Sequence, residues 1–490
     1  MKNFLHKEGT RSVLASLISI LIGLVAGSIL ILVVGLTTKG LGLKSAWEGI
    51  QLVFFGLFST GRNASGALTF GFNPSIVGNM LFRATPVILT GLSVAVAFKT
   101  GLFNIGAPGQ YLAGTTVTLL IALSIPTGVG ELAAYQAAQG IVPAVTYPTW
   151  FVWTLAFLGG LLAGALWGAI PGLLKSLLNI NEVIACIMTN WIAANLATWV
   201  FDVSNLKNVI ENTKTSYIYK TTVNGVATSK MGLDQLFPGS QVNGSILIAT
   251  ALAVIVYVIL SKTTFGYQLK ACGSNRYAAR YAGIKDKRNI VLSMAIAGSL
   301  AGAAGSLYYL SGNTEFFWST YQQLPAVGFN GIPVALLASN HPIGVIFAGM
   351  FMSMLDIAGL QLTNLTAYNE YITDVIIAVI WPRSRWSSAC GCPAAASAAI
   401  AGRKKSSLRL RKPTTVKTST GLPEMGRRRR RNEFPHSSNP DLRGSSDDRS
   451  AGGHFRRAQR HYQSGAGRHY DLRRVHRRSV CSSGAAMGLV

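Results

Sequence analysis

The chain has 490 residues, of which 49% are hydrophobic and only 13% are charged, and its mean hydropathy is +0.36. Because soluble domains carry roughly 25% charged residues, this composition excludes an ordinary soluble protein and indicates a membrane protein. The net charge of +26 is unevenly distributed, since 24 of the basic residues but only 6 of the acidic ones lie from Arg383 onward. The C-terminal part therefore needs an explanation of its own.

The apolar residues fall into about ten runs, each a candidate for a membrane-spanning helix. Such a helix needs roughly 20 apolar residues, and the first run is too long for the core of a signal peptide, which has roughly 7–15. The chain is therefore predicted to be all-α, a polytopic integral membrane protein with about 8–10 transmembrane helices in a domain of residues 12–380. The predicted spans are residues 12–36, 76–98, 106–125, 151–176, 183–201, 244–261, 290–311, 327–338, 341–360 and a shortened 371–382.

Basic residues near the ends of the spans predict the orientation of the chain, because such residues favour the cytoplasmic side. Lys2, Lys7 and Arg11 place the N-terminal segment, the first 11 residues, in the cytoplasm. The loop 262–289 carries seven basic residues and one acidic residue, and it is also predicted to be cytoplasmic, which agrees with six spans between the two segments. The polar segment 202–243 is then extracytoplasmic.

Residues 265–284, FGYQLKACGSNRYAARYAGI, form the most distinctive part of that loop. The pattern predicts a short amphipathic helix in which Ala278 and Ala279 make a small, flat surface and Gly283 ends the helix. An element of this kind can lie in a groove of a soluble partner. The alternative is a basic loop that only determines the orientation of the neighbouring spans.

This loop resembles the coupling loop of bacterial ABC importer permeases, which docks onto the ATPase subunit. Three further blocks resemble the branch of these permeases that carries branched-chain amino acids, simple sugars and nucleosides. They are GLFNIGAPGQYLAG (101–114), INEVIACIMTNWIA (180–193) and GFNGIPVALLASNHPIG (328–344), and with the loop they follow the family's order. The wording of the blocks is most similar to nucleoside permeases of the guanosine type.

The resemblance implies a non-enzymatic permease subunit in the plasma membrane of a bacterium, surrounded by lipid and without a nucleic-acid partner. Its expected partners are an ABC ATPase subunit, a second related permease and an extracytoplasmic substrate-binding lipoprotein. No cofactor is expected in this chain, since ATP is bound by the partner, and the sequence has no Gly-Lys dipeptide for a phosphate-binding loop. The residues expected to couple the chain to the ATPase are Gly273, Asn275, Ala278, Ala279, Gly283 and Ile284.

Six polar or aromatic residues within the spans are candidates for the translocation pathway. Asn104 and Gln110 stand where Pro108 and glycines are expected to interrupt a helix, and broken helices often line cavities. Asn190 and Trp191 lie in mid-span, where an amide and an indole can bind a nucleobase, although a hydrogen bond between helices is the simpler interpretation. The other two candidates are Asn330 and Asp356.

Asn330 and Asp356 are singled out for different reasons. Asn330 lies between glycines in a short span, which predicts a re-entrant turn. Asp356 is the one acidic residue deep in a span, and a buried charge in lipid is a functional hypothesis by default, but the sequence shows no evident cationic partner for it.

Several other functions are compatible with parts of this pattern. A simple-sugar or branched-chain amino acid permease shares the same architecture. A gradient-driven secondary transporter needs several ionisable residues within the membrane, and only Asp356 fits. The lone pair Cys390 and Cys392 falls short of the four ligands of a typical zinc site, so no metal is expected.

The segment 381–490 differs in character from the rest of the chain, being rich in Arg, Ser and Ala. It can be a basic arm for nucleic acid or anionic lipid, or a disordered tail. We favour a third hypothesis, a frameshift near Ile380, because permitted codons read in another frame restore an apolar run after Trp381 and then a second permease-like sequence.

Overall fold

Helices make up most of the structure because the apolar residues are collected in long runs with few charges. The computed structural model describes residues 8–38, 42–140, 143, 145–208, 216–369 and 371–378, all within one unit of residues 1–411. The helices are α1 (Glu8–Thr37), α2 (Leu43–Phe55), α3 (Pro74–Lys99), α4 (Ala107–Ser124), α5 (Glu131–Ala138), α6 (Thr149–Leu178), α7 (Glu182–Val203), α8 (Leu233–Leu236), α9 (Ser245–Lys262), α10 (Thr264–Ser274), α11 (Arg276–Tyr281), α12 (Asp286–Tyr309), α13 (Ala326–Leu337), α14 (Pro342–Leu365) and α15 (371–378).

The ten predicted spans all coincide with helices, although the last four residues of the run 371–382 lie outside the described chain. Among the described residues, seven helices are long and apolar enough to cross a membrane, namely α1, α3, α6, α7, α9, α12 and α14. Helix α4 has 18 residues but carries polar side chains such as Gln110 and Thr115, and α13 has only 12 residues. The predicted all-α membrane fold is confirmed.

Among the described residues, two small antiparallel strand pairs join loops between the helices. Strand β1 (Ser59–Arg62) pairs with β2 (Leu68–Phe70). Strand β3 (Tyr217–Ile218) pairs with β4 (Phe316–Phe317), which ties the segment after α7 to the segment after α12. These pairs link loops and do not change the helical class.

Helices α3 and α12 form the centre of the bundle. Every residue of α3 from Ala84 to Ala97 is buried, and α3 packs against α12, α13 and α14. Helix α12 also packs against α4 and, most extensively, against α6. A helix that is apolar on all faces is expected at such a central position.

Glycines bring α6 and α12 into close contact. A methyl group added at Gly164 would overlap the carbonyl oxygen of Gly298, and one added at Gly298 would overlap that of Gly164. The seam continues through Gly160 and Gly168 of α6 and Gly302 of α12. Since lipid tails are as apolar as leucine, close backbone packing of this kind is a main source of helix association in membranes.

The two ends of the bundle are distinguished by their loops. The backbone of Gly273 in α10 touches that of Gly101, just after α3, so α3 ends and α4 begins at the end that carries α10 and α11, called here the α10 end. At the opposite end, called here the far end, the Asn224 side chain donates hydrogen bonds of 2.8 Å to the carbonyl oxygens of Ala122 and Ile125 at the close of α4.

Helix α13 crosses only part of the bundle. It begins beside Thr90 of α3, whose hydroxyl donates a hydrogen bond to the carbonyl of Val327 (3.1 Å). It ends beside α1, where the hydroxyl of Ser16 donates to the carbonyl of Leu337 (2.6 Å). Residues 318–325, which lead into it, have no regular structure. Hydrogen bonds between Trp318 or Ser319 and Thr198 of α7 tie the start of this segment to the bundle.

Candidate functional site

The predicted coupling segment consists of two short helices rather than one. Asn275 separates α10 from α11, and its side chain accepts hydrogen bonds of 3.0 Å from the backbone amides of Tyr277 and Ala278. This N-cap starts α11 because it satisfies amides that have no partner within the helix. Gly283 then reverses the chain with φ of +80°, a conformation that glycine adopts without strain, as the sequence indicated.

The two helices enclose a groove of about 550 Å³ at the α10 end. Ala278 is exposed in its wall, whereas Ala279 is 4% exposed and packs inward. Both alanines line the groove, as expected of a small surface, but Ala278 contributes more of its exposed face and Ala279 packs mainly inward. The groove is lined by Thr264, Tyr267, Gln268, Ala271, Ser274, Asn275, Ala278, Ala279, Ala282 and Ile284.

Helix α11 is tied to the central helix α12 by two ion pairs on one carboxylate. Asp286 accepts from Arg276 (2.7 Å) and Arg280 (2.8 Å), and the hydrogen bond to Asp286 raises the pKa of Arg280. Gly273 meanwhile rests on the backbone of Lys99 at the end of α3, where any side chain would overlap the Lys99 carbonyl. The coupling segment is thus attached to both central helices.

Asn104 and Gln110 form a closed polar cluster rather than part of an open passage. Asn104 is fully buried, donates to Gln110 (2.8 Å) and Ser93 (3.0 Å), and accepts from Gly106 (3.1 Å). Gln110 donates back to Asn104 at 3.0 Å. Buried amides need such partners, so the cluster fixes the loop between α3 and α4, and α4 begins at Ala107 with Pro108 in its first turn.

Asn190 and Trp191 point in different directions and do not form one binding site. The Asn190 side chain accepts from Gly109 (2.9 Å) and donates to the carbonyl of Ile105 (3.0 Å), which joins α7 to α4. The Trp191 side chain is 54% exposed on the outer face of α7. The geometry matches the simpler interpretation of Asn190, a hydrogen bond between helices.

The structure contradicts the predicted re-entrant turn at Asn330. Asn330 is half-buried inside the continuous helix α13, and the chain turns later, where Ser339 and Asn340 adopt positive φ. The glycines that suggested a turn serve close contact instead, because Gly328 lies against Pro108 and Gly331 against the backbone of Thr90.

Asp356 has a cationic partner that the sequence did not reveal. Arg83 of α3 donates to its carboxylate at 2.7 Å, and the two side chains are 41% and 52% exposed. Arg83 lies nine residues inside the far end of α3 and Asp356 nine residues inside the far end of α14, about 14 Å along each helix. Because an exposed charge at this depth is costly in hydrocarbon, this face is suited to water or another subunit rather than to lipid.

A polar cavity of about 250 Å³ lies beside this ion pair, between α3 and α14. The amide side chain of Asn79 accepts from the backbone of Gln241 (2.9 Å), so the segment before α9 forms part of the rim. The cavity is lined by Ile76, Asn79, Arg83, Gln241, Ile357, Leu360, Gln361 and Asn364. Within the described part of the chain, no cluster of His, Cys, Asp and Glu is suited to a metal ion.

Comparison with known proteins identifies the family. Residues 76–381 match the family described as the branched-chain amino acid transport system permease component. The chain belongs to this permease family. A guanosine ABC transporter permease of Bacillus subtilis, NupP, is 33% identical over 75% of this chain and 91% of its own length. A nucleoside ABC transporter permease of Lactococcus lactis, NupB, is 34% identical over 76% and 90%.

A glucose ABC transporter permease of Haloferax volcanii, TsgB13, is 29% identical over 61% of this chain and 73% of its own length. The ABC permease is therefore a multi-pass membrane subunit that works with an ATPase, and it is not an enzyme. The family match ends at residue 381, where the composition of the chain changes.

Four residues that line the cavity of this ABC permease did not stand out in the sequence. Asn79 and Arg83 are four residues apart on α3, and Gln361 and Asn364 are three apart on α14. Each spacing places two polar side chains on one helix face. The sequence therefore could have indicated a polar face on each helix, but it could not have indicated that the two faces meet.

Proposed function

We propose that this ABC permease carries nucleosides, with guanosine as the representative substrate. The observation that carries the proposal is the similarity to the guanosine and nucleoside permeases, which extends over about nine-tenths of their lengths. A sugar permease is also related, but over a smaller share of its length. A neutral cavity rich in amides is compatible with either kind of solute.

We place the α10 end in the cytoplasm and the far end outside. The seven basic residues of the loop 262–289 support this orientation. The ATPase then docks at the groove of α10 and α11, which Asn275, Ala278, Ala279 and Ile284 help to line. Gly273 holds α10 against α3, and Gly283 turns the chain after α11. Closure of the ATPase moves α11, and the Asp286 ion pairs and the Gly273 contact pass the motion to α12 and α3.

The pathway would lie between this permease and a second, related one, and a lipoprotein receptor would deliver substrate at the far end. The exposed pair Arg83–Asp356 supports a water-filled path along α3 and α14. Movement of α3, which carries Arg83 nine residues from its far end and contacts Gly273 at the α10 end, would alternate access to this path.

Uptake of labelled guanosine tests the substrate. Cells that lack their own nucleoside importers would express this chain together with the neighbouring genes of its operon. We expect uptake that is competed by other nucleosides but not by ribose or leucine. Competition by ribose or leucine instead would assign the permease to another substrate class and would overturn the proposal.

A further inference from the structure

The cavity between α3 and α14 contains hydrogen-bonding groups without partners. The structure records no side-chain hydrogen bond for Gln361 or Asn364 within the described residues, and Asn79 uses only its oxygen, towards Gln241. Three amide side chains thus offer donors and acceptors to whatever enters. Polar groups of this kind that converge on a concave surface are typical of small-molecule sites.

The one charge in the wall of the cavity is balanced by an ion pair with a residue beside it. Arg83 is the one cation and Asp356, beside the cavity, is its counter-ion at 2.7 Å, and the remaining polar side chains that line the cavity are neutral amides. An uncharged polar solute fits this wall, whereas an anion such as a nucleoside phosphate gains no net attraction. Asp356 accepts a hydrogen bond from one nitrogen of the Arg83 guanidinium, and the other N–H groups of Arg83 remain available as donors.

Resting on the nucleoside assignment above, we propose that this cavity is a substrate-contact site in the translocation pathway. Gln361 and Asn364 donate to and accept from an uncharged nucleoside, and Asn79 donates from the opposite helix. The Arg83–Asp356 pair keeps the wall neutral and so favours nucleosides over nucleoside phosphates. The volume of about 250 Å³ is just below that of common ligand pockets, roughly 300–1,000 Å³, and the second permease supplies the remaining wall.

Photoaffinity labelling of the purified complex tests this site directly. The full chain would be purified with its second permease and ATPase but without receptor, and labelled with 8-azidoguanosine. We expect label on peptides containing residues 76–83 or 357–364, competed by guanosine but not by guanosine monophosphate. Gln361→Met and Asn364→Leu keep side-chain size but remove hydrogen bonds, and each should lower labelling by roughly three- to tenfold.

Thr363→Val is the matched control, because Thr363 is exposed next to Asn364 but bonds only to Gly359 of its own helix. Label elsewhere in the complex, or unchanged labelling in both variants, overturns the inference while leaving guanosine uptake intact. Loss of the second permease from the purified Gln361→Met or Asn364→Leu complex would also overturn it, by showing that this face is a subunit contact. Absence of guanosine uptake by the wild-type complex would instead count against the proposed function.

Discussion

At the scale of single residues, the polar side chains first considered for the pathway have two different kinds of surroundings. Asn104, Gln110 and Asn190 are buried. Asn104 and Gln110 are hydrogen-bonded to each other, and Asn190 is hydrogen-bonded to the backbone at the start of α4. Arg83 and Asp356 are partly exposed although they lie within spans. Burial with satisfied hydrogen bonds indicates a structural role, whereas exposed charge within a span indicates a face that meets water or another subunit rather than lipid.

Replacing Asn190 tests the structural role. Asn190→Ala leaves the Gly109 amide and the Ile105 carbonyl without partners, and each buried orphan costs about 1–3 kcal/mol. We expect a clear fall in the melting temperature of the purified permease. Asn195→Ala is the control, since Asn195 is exposed on the same helix and bonds only to the carbonyl of Trp191. Equal stability of the two variants would contradict this role.

Neutralising one member of the ion pair should change which solutes the pathway accepts. Asp356→Asn leaves a positive wall, and a unit charge about 4 Å away in water contributes about 1 kcal/mol. We expect guanosine monophosphate to inhibit 8-azidoguanosine labelling of this variant roughly fivefold better than that of the wild type. The double variant Arg83→Gln, Asp356→Asn restores neutrality and should respond as the wild type does. An unchanged response of Asp356→Asn would contradict the electrostatic argument.

At the scale of elements, α10 and α11 are the part of the chain suited to receive motion from a partner. They present an open groove, yet they are held to α12 by Asp286 and to α3 by Gly273. Because α10 and α11 are exposed on one side and attached to α12 and α3 on the other, a partner that displaces them also displaces the two central helices.

Filling the groove should release the ATPase. Ala278→Trp places an indole in the wall of the groove, and we expect roughly tenfold weaker co-purification of the ATPase subunit, equivalent to about 1.4 kcal/mol. Ala138→Trp is the matched control, because Ala138 is exposed on α5, away from the α10 end. Undiminished co-purification of Ala278→Trp would place the docking surface elsewhere.

The glycine seam between α6 and α12 should tolerate no added methyl group. Gly164→Ala raises helix propensity by about 1 kcal/mol, but its methyl overlaps the Gly298 carbonyl, and overpacking typically costs about 1–3 kcal/mol. We therefore expect net destabilisation in thermal unfolding. Leu166→Phe adds bulk on the exposed face of α6 and should leave stability unchanged. A more stable Gly164→Ala would show that the helices can separate freely.

At the scale of the whole molecule, hydrophobic runs predicted the helices well because span length is imposed by the bilayer. Pairings across the chain were not predictable: Arg83 and Asp356 are 273 residues apart, and no local pattern joins them. The turn predicted at Asn330 was wrong, because the neighbouring glycines allow close contact between helices instead of a turn. The break at Asn275 was missed, although an asparagine followed by a helical run is a readable N-cap signal.

The segment 381–490 lies outside the described residues, and the frameshift remains our hypothesis for it. The end of the family match at residue 381 supports it. We expect the genomic DNA near the Ile380 codon to contain a shifted frame, with an apolar reading that completes the last span. An intact frame through to Val490 with no apolar alternative would contradict the hypothesis.

The central claim is that a bound ATPase drives a nucleoside through this permease, so that delivery of the nucleoside stimulates ATP hydrolysis. The most direct measurement is ATP hydrolysis by the complex of permease pair, ATPase and receptor, reconstituted in lipid vesicles with guanosine, ribose or leucine. We predict that guanosine raises the rate of hydrolysis and that ribose and leucine leave it at the basal level. A rate that responds to ribose or leucine but not to guanosine would contradict the account.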